Sequence, residues 1–265
     1  MIHEILSRLP QDHPWGSRIH YYDCIGSTND RAKELALQGV PEGTVILADR
    51  QSAGRGRMGR SFHSPGGMGV YMSVILRPQC KPSDLMHLTC ATAVTMCDAI
   101  RQSTGLEAGI KWTNDLVFEK KKLGGILTEL ALAPDGTVSH AVIGIGINCC
   151  QQPEDFSGDI RPIAASLSMV TGNTVSRAAV AAAMILALYS MRNQLLSEKE
   201  AIMDAYRRRC VTLGQEISLV RGDEIRHGKA LDVDPDGGLI VEFGCGKTEA
   251  VTSGEVSVRG MYGYV

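Results

Sequence analysis

The sequence predicts an α+β protein with one large domain and one small one. Two long segments, 83–104 and 175–209, are apolar or alanine-rich and favour helices. From about residue 214 the pattern changes to short alternating strands separated by Gly and Asp, which is typical of a β-barrel of SH3 size. We therefore expect a large domain over residues 1–213 and a small C-terminal SH3-like β-barrel over residues 214–265.

Helices and strands are both predicted in the large domain. Residues 27–39 favour a helix, because Ser27 and Asp30 have the spacing of a capping box, and Gly39 with Pro41 would end it. The other predicted elements are strands at about 44–50 and 70–76, a helix at 83–104 ended by Gly105, a strand-rich block from 109 to 150, and helices between 175 and 209.

Composition limits the classes of function. A formal net charge of -2 over 265 residues gives no overall attraction to nucleic acid or to an anionic membrane, so any basic site must be local. The N-terminal residues lack the pattern of a signal peptide, and no run of 18 apolar residues occurs, so a cytoplasmic protein is expected. The eight cysteines never form CxxC and no HExxH occurs, which does not favour a zinc site held by the protein.

The stretch GRGRMGRSF, residues 54–62, carries the glycine spacing GxGxxG. A dinucleotide-binding loop would open a helix, but Pro65 and three glycines follow, and no acidic residue stands about 20 positions on. The kinase motifs HRD and DFG are also absent from the sequence. Arginines that alternate with glycines suit phosphate or carboxylate oxygens, so we predict an anion-binding loop, the alternative being a solvated mobile loop.

Three further clusters could carry chemistry, and each has a plain structural alternative. Residues 27–29, STN, could cap a helix or bind the carbonyl of a small ligand. In 111–127, KWTNDLVFEKKKLGGIL, Lys122 begins a strand whose glycines leave room for a ligand against bare backbone. Asp115 in the same stretch is a turn former that could equally hold Mg²⁺ near a triphosphate. The stretch GIGIN at 144–148 would add a glycine wall, unless its glycines serve only packing.

Taken together, these residues resemble the biotin protein ligases. STND, GRGRMGRSF, KWTNDL, KKLGGILTE and GIGIN occur in the order and at the spacing of that family, over about residues 22–168. The resemblance implies a mixed central sheet flanked by helices, similar to the class II synthetase core. Phe62 stands where the family usually has Trp, and Thr113 replaces the Pro of KWPND. Phe can still stack on adenine, so these departures concern only the details of nucleotide affinity.

The resemblance also implies a reaction and its residues. Biotin and MgATP would form biotinyl-AMP and pyrophosphate, and a lysine of a carboxylase's biotin carboxyl carrier domain would then take the biotin. The catalytic residues would be Lys122, Arg57 and Arg55. The biotin-binding residues would be Ser27, Thr28, Asn29, Gln51, Gly54, Arg55, Gly56, Arg57, Lys122, Gly125, Gly144 and Gly146. The ATP-binding residues would be Arg57, Arg60, Phe62, Lys111, Asn114, Asp115, Lys122 and Asn148, with Asp115 also a candidate metal contact.

Partners and alternatives follow from the same comparison. About 20 residues precede the resemblance, too few for a helix-turn-helix domain, so we expect a ligase that does not bind DNA and acts as a monomer or homodimer. A lipoate ligase or octanoyl transferase is the nearest alternative, but such proteins would favour a long apolar tunnel over Ser27, Thr28 and Gln51. A non-catalytic sensor of biotin or nucleotide is a second alternative, from a different class.

Overall fold

The computed structural model describes residues 1–244, 246–252 and 257–260, the last four by their backbone alone. The helices are α1 Ile2–Leu6, α2 Thr28–Leu37, α3 Leu88–Thr104, α4 Leu167–Thr171, α5 Arg177–Gln194 and α6 Lys199–Arg209. The strands are β1 Ile19–Ile25, β2 Val45–Gln51, β3 Gly69–Leu76, β4 Gly109–Lys111, β5 Asp115–Phe118, β6 Lys121–Leu132, β7 Val138–Asn148, β8 Glu216–Arg221, β9 Glu224–Val233, β10 Leu239–Phe243, β11 Thr248–Val251 and β12 Ser257–Gly260.

The first seven strands form one sheet in the order β1-β2-β3-β7-β6-β5-β4. Only β1 and β2 run parallel, and the other neighbours are antiparallel, so the sheet is mixed as expected. Strand β3, next to the middle strand β7, is buried along its whole length. A strand covered on both faces reads as a continuous apolar run, which is what residues 70–76 show.

Helices cover both faces of this sheet. On one face, Ala32, Leu35 and Ala36 of α2 pack against Ile46 and the neighbouring Ile75 and Val142. On the other face, α3, α5 and α6 pack together over a much larger apolar cluster that continues into the C-terminal strands. Burial of this large cluster is the main stabilising term of the fold.

The predicted helix ends agree with the structure at α2. Ser27 Oγ accepts the Asp30 N–H at 3.4 Å, and Gly39, just past the end of the helix, has φ +81°. The predicted helix over 83–104 is wrong in its first turn, since Pro82–Leu85 form a 3-10 turn and α3 starts only at Leu88. The turn has its own cap, since Asp84 Oδ2 accepts the Lys81 N–H at 2.9 Å, and His87, just before α3, is buried with its Nε2 2.8 Å from the Leu195 carbonyl.

The C-terminal strands form a small SH3-like unit, an antiparallel sheet in the order β11-β10-β9-β8-β12. It starts at Glu216, close to the predicted boundary after Leu213. Trp112 joins the two units, because its Nε1 donates to the Gly237 carbonyl at 2.9 Å; its backbone N–H donates to Thr212 Oγ1, just before the second unit, at 2.9 Å. In the parts of the chain that the structure describes, no helix combines the length and apolar character needed to cross a membrane.

Candidate active site

A cavity of about 140 Å³ lies where the start of α2, the end of β2, the arginine loop 54–62 and the strands β5, β6 and β7 meet. Its lining residues are Ser27, Thr28, Asn29, Gln51, Arg55, Gly56, Arg57, Met58, Arg60, Ser61, Phe62, Asn114, Asp115, Lys122, Gly125, Ile126, Leu127, Gly144, Ile145 and Gly146. The four sequence clusters predicted as chemical sites therefore meet at one place. The cavity is the candidate active site.

One end of the cavity has a polar floor that is fixed by hydrogen bonds. Gln51 Oε1 accepts from both the backbone N–H of Thr28 at 2.9 Å and its hydroxyl at 3.0 Å. The hydroxyl of the fully buried Ser73 donates to Asn29 Oδ1 at 2.6 Å, and its oxygen also lies 2.8 Å from Thr28 Oγ1. Because each group is held by another, the floor presents polar atoms in set positions without side-chain reorganisation.

Asn29 is held in place from several sides. Its Nδ2 donates to the Leu127 carbonyl at 3.3 Å and to Glu129 Oε2 at 2.8 Å. A Cβ on Gly144 would overlap the Asn29 amide, so the first glycine of GIGIN makes room for this side chain. The glycine thus serves packing and the shape of the cavity together.

The second GIGIN glycine makes room for an aromatic ring. A Cβ on Gly146 would overlap the ring of Phe62, which therefore lies directly over the sheet. The edge of Tyr71 meets the same ring, with centroids 6.4 Å apart and planes at 71°. Phe62 therefore adds an apolar aromatic surface to the lining of the cavity.

Lys122 is positioned by its side chain and by its backbone. Its Nζ donates to Asp115 Oδ1 at 2.6 Å, and a Cβ on Gly125 would stand 3.3 Å from the same nitrogen. The backbone N–H of Lys122 donates to the Ile163 carbonyl at 2.7 Å, and its carbonyl accepts from the Ala165 N–H at 2.9 Å. The ammonium group is therefore carried on a strand that is fixed on both sides.

Arg57 reaches from the loop across the cavity. Its Nη1 donates to Asn114 Oδ1 at 2.7 Å, and Asn114 Nδ2 in turn donates to the Ile126 carbonyl at 3.0 Å. Burial lowers the pKa of the Arg57 guanidinium from its ordinary value, and the nearby Asp115 carboxylate opposes that shift. A partly desolvated guanidinium of this kind interacts strongly with an anion that enters the cavity.

Arg55 points to an acidic pair at the cavity rim. Its Nη1 is 2.6 Å from Asp30 Oδ1 and 3.8 Å from Glu129 Oε1, and Lys33 bridges the same two carboxylates at 2.9 and 3.0 Å. The hydrogen bond and the charge of Asp30 raise the pKa of the Arg55 guanidinium. In this arrangement Arg55 is half exposed and paired with carboxylates.

Three predicted site residues lie outside the set that lines the cavity. Gly54 is buried beneath it, where a Cβ would come within 2.5 Å of the Phe62 carbonyl oxygen. Lys111 is buried on β4 opposite Asp115. Asn148, at the end of β7, donates to the Ala165 carbonyl at 3.1 Å and accepts from Gln151 Nε2 at 3.1 Å. Their roles with nucleotide stay predictions.

The sequence interpretation missed several residues of the site. Met58, Ser61, Ile126, Leu127 and Ile145 complete the lining. Ser73 supports the floor, and it carried a readable signal, because it is the one polar residue within the apolar run of residues 70–76.

The cavity offers few side chains that could bind a metal ion. Over residues 1–244 and 246–252, no group of three or more His, Cys, Asp or Glu side chains could hold a metal ion. Asp115 lines the cavity, but its Oδ1 already accepts from Lys122. A divalent ion would therefore share this carboxylate with the ammonium group and would depend on the phosphates of a nucleotide for further ligands.

Comparison with known proteins gives first the class and then the family. The sequence profile described as the Biotin/lipoate A/B protein ligase family matches residues 21–148, and the one described as the Biotin protein ligase C terminal domain matches residues 212–259. The chain is thus of the biotin/lipoate protein ligase class. Within this class, the chain belongs to the biotin protein ligase family.

Curated relatives and solved structures agree. The Bifunctional ligase/repressor BirA of Bacillus subtilis is 38% identical over 231 residues, which cover 86% of this chain and 70% of that protein. The Biotin--[acetyl-CoA-carboxylase] ligase of Paracoccus denitrificans is 31% identical over 88% of this chain and 98% of its own length. The biotin protein ligase from Aquifex aeolicus in complex with biotin and ATP is 27% identical, covers 92% of this chain and 99% of its own, and has a TM-score of 0.78.

Proposed function

We infer that this protein is an ATP-dependent biotin–protein ligase that transfers biotin to a lysine of a biotin carboxyl carrier domain. One observation carries this function: hydrogen-bonded polar side chains, the cations Lys122 and Arg57, and the aromatic ring of Phe62 line a single cavity. Such a lining suits a ring with polar edges, a carboxylate next to a phosphate, and a purine base.

The first half-reaction joins the two substrates. An oxygen of the biotin carboxylate attacks the α-phosphorus of ATP, the bond to the bridging oxygen breaks, and pyrophosphate leaves. Negative charge would collect on the phosphorus centre and on the leaving group, and we propose that Lys122 and Arg57 bind there. Cations held in place before the reaction stabilise this transition state without reorganisation, which is worth several kcal/mol, roughly 3 for a single donor.

The second half-reaction moves the acyl group. The amine of the acceptor lysine attacks the carbonyl carbon of biotinyl-AMP, AMP leaves with the bonding electrons, and the amine gives up a proton. The mixed anhydride hydrolyses in water, so the cavity must exclude solvent until the acceptor arrives. The arginine loop, with Arg57 bonded to Asn114 across the opening, is placed to do this.

The proposed residue roles follow from the side chains that line the cavity. Thr28, Gln51 and the hydroxyl of Ser27 would bind the biotin ring, with Asn29 shaping that end. Phe62 would stack on adenine, and stacking on an aromatic ring contributes about 0.5–1.5 kcal/mol beyond area burial. The roles of Arg55, Arg60, Lys111 and Asn148 toward phosphates and adenosine are proposed on the family resemblance.

Several finer statements are also proposals. Mg²⁺ would accompany ATP, with Asp115 as one ligand, and an Asp115→Asn variant should then require more Mg²⁺ for half-maximal rate. We further propose that the chain acts in the cytoplasm without binding DNA, as a monomer or homodimer. The division into a catalytic domain over 1–213 and a C-terminal domain over 214–265 is part of the same proposal.

A substrate comparison tests the function. Pyrophosphate release is measured with ATP plus biotin and with ATP plus lipoate, followed by transfer to a carrier domain and to its variant with the acceptor lysine changed to arginine. We expect pyrophosphate release with ATP plus biotin but not with ATP plus lipoate. We also expect biotin label on the carrier domain that keeps its lysine. Release with lipoate in place of biotin would instead support the lipoate ligase alternative, and binding of biotin without turnover would support a sensor.

A further inference from the structure

The arginine loop leaves the cavity through a turn, residues 64–69, that is held by two side chains from distant elements. Asp49, near the end of β2, accepts the Gly67 N–H on Oδ2 at 3.0 Å. Arg177, the first residue of α5, donates through Nε to the Gly69 carbonyl at 2.7 Å and through Nη2 to Asp49 Oδ1 at 2.8 Å. We call this pair and its contacts the exit clamp.

Backbone contacts complete the hold on the turn. The hydroxyl of Tyr71 donates to the Pro65 carbonyl at 3.0 Å. The carbonyl of Met68 accepts from the N–H of Cys149 at 3.2 Å and from that of Cys150 at 2.8 Å. The Arg177 side chain keeps only 14% of its surface exposed, so its bonds compete little with water. The exit of the loop is therefore fixed to β2, β7 and α5 at once.

The tip of the same loop is built differently. Arg57–Gly59 form a short 3-10 turn in which Met58 has φ 55° and is 55% exposed. Gly59 and Arg60 are exposed as well. The loop thus combines an exposed tip, which carries the arginines, with an anchored exit.

Phe62 lies between these two parts. Its carbonyl accepts from Ser64 Oγ at 2.9 Å, and the Ser64 carbonyl accepts the Gln51 N–H at 3.1 Å. Its ring rests over Gly146 and meets the edge of Tyr71, the residue that also bonds the turn. The position of the ring therefore depends on the position of the turn.

We propose that Asp49 and Arg177 are positioning residues for the adenosine end of the site: they fix the exit of the arginine loop so that Phe62 faces the base of ATP while the tip closes. This rests on the proposed function. It explains how one loop can move over the adenylate at one end and present a rigid stacking surface at the other. Neither residue touches the cavity, so both act through the turn and Phe62.

Steady-state kinetics of Arg177→Met test the proposal, with Lys199→Met as a control that removes a 2.6 Å ion pair to Asp236 outside the turn and the cavity. Loss of charge-assisted hydrogen bonds to the turn should raise the KM for ATP about tenfold. The KM for biotin should change by less than about twofold: Gln51 also donates to Ser64 of the turn, but its hydrogen bonds to Thr28 hold it in place. Asp49→Asn should give a similar change, and the double variant less than the product of the two, because they act as one unit.

A purely structural role would look different. If the two KM values rose together, or if the KM for ATP stayed within about twofold of the wild type, the positioning role would be wrong. Tyr71→Phe removes a single hydroxyl and is the milder variant for use if Arg177→Met does not fold. It should raise the KM for ATP in the same selective way.

Hydrogen exchange of the ligand-free protein tests the clamp without any turnover. The amide of Gly67 should exchange faster in Arg177→Met and Asp49→Asn, while amides of β9 should be unchanged. Unchanged exchange at Gly67 would overturn the clamp whatever the activity. Faster exchange in a protein whose wild type releases no pyrophosphate would keep the clamp and reject the ligase function instead.

Discussion

Lys122 Nζ and Asp115 Oδ1 lie 2.6 Å apart, on two neighbouring strands joined by a tight turn. Asp115 pairs with Gly125 in the register of β5 and β6, and the side chain of Lys122 lies over that glycine to reach the carboxylate. A residue with a Cβ at position 125 would press on the lysine. The ammonium group is thus held by an acid, a bare backbone and a fixed strand before any substrate binds.

Lys122→Ala should stop pyrophosphate release. The variant removes the cation that we propose stabilises the charge of the transition state, and the expected loss of rate is about a hundredfold or more. Lys121→Ala is the matched control, since Lys121 is the exposed neighbour on the same strand and should keep the wild-type rate. A near-normal rate in Lys122→Ala would remove this residue from the mechanism.

Arg57→Gly should still form biotinyl-AMP but release it into solution. The change removes the bond from the loop to Asn114, and with it the cover of the adenylate. Biotin transferred to lysines of a bystander protein measures the leak. Asn114→Ala, which removes only the partner, should leak less, and Arg221→Gly on the exposed end of β8 should not leak. Adenylate retention equal to that of the wild type would contradict the lid role.

Gly144→Ala should weaken both stability and biotin binding. The new Cβ would overlap Asn29, which is tied to Ser73, Leu127 and Glu129 and has no room to move. Overpacking of this kind costs about 1–3 kcal/mol of unfolding free energy. Gly158→Ala is the control, because a Cβ there meets nothing within 4 Å. Denaturant unfolding and biotin titration give the two readouts, and equal losses in both variants would contradict the packing argument.

Stability should fall in mild acid, and His87 should carry part of that dependence. Burial lowers its pKa, with a smaller opposing effect from the Leu195 carbonyl, and within the described part of the chain Nδ1 has no hydrogen-bond partner. In the unfolded state the pKa of His87 is about 6.5, so its imidazole binds a proton as the pH falls below that value. The folded state resists this protonation. The stabilising contribution is present above about pH 6.5 and is lost on the acid side.

Melting temperatures at pH 7.5 and about 5.5 measure this effect. The decrease should be smaller in His87→Gln than in the wild type. His20→Gln, at an exposed position on β1, should leave the decrease unchanged. Burial also lowers the pKa of His13 and His140, so part of the dependence should persist in His87→Gln. An unchanged decrease in that variant would contradict the assignment to His87.

Much of the site could be read from the sequence because its motifs are local. Residue type and spacing identify the arginine loop, the hairpin that carries Lys122 and the glycines of GIGIN. Strand and helix positions followed from alternation and from capping residues in the same way. The first turn before α3 was predicted wrongly, and strand β1 and the short helices α1 and α4 were not predicted.

The orientation of side chains could not be predicted from the sequence. Asn148 belongs to a glycine-rich motif, yet its amide bonds Ala165 and Gln151 outside the lining of the cavity. Arg177 and Asp49 stand 128 residues apart and carry no motif, although together they hold the loop exit. Such contacts depend on the strand register and on the packing of helices against the sheet.

By itself, the sequence determined the type of each main element, the order of the clusters and the chemistry that they bring. These depend on backbone preference and residue type, which act over a few neighbouring positions. Only the tertiary structure decided that Asn29 fills the space at Gly144, that Phe62 lies over Gly146 and that Asp49 with Arg177 anchors the turn. Those contacts join distant parts of the chain, and they exist only when the sheet and its helices have packed into one arrangement.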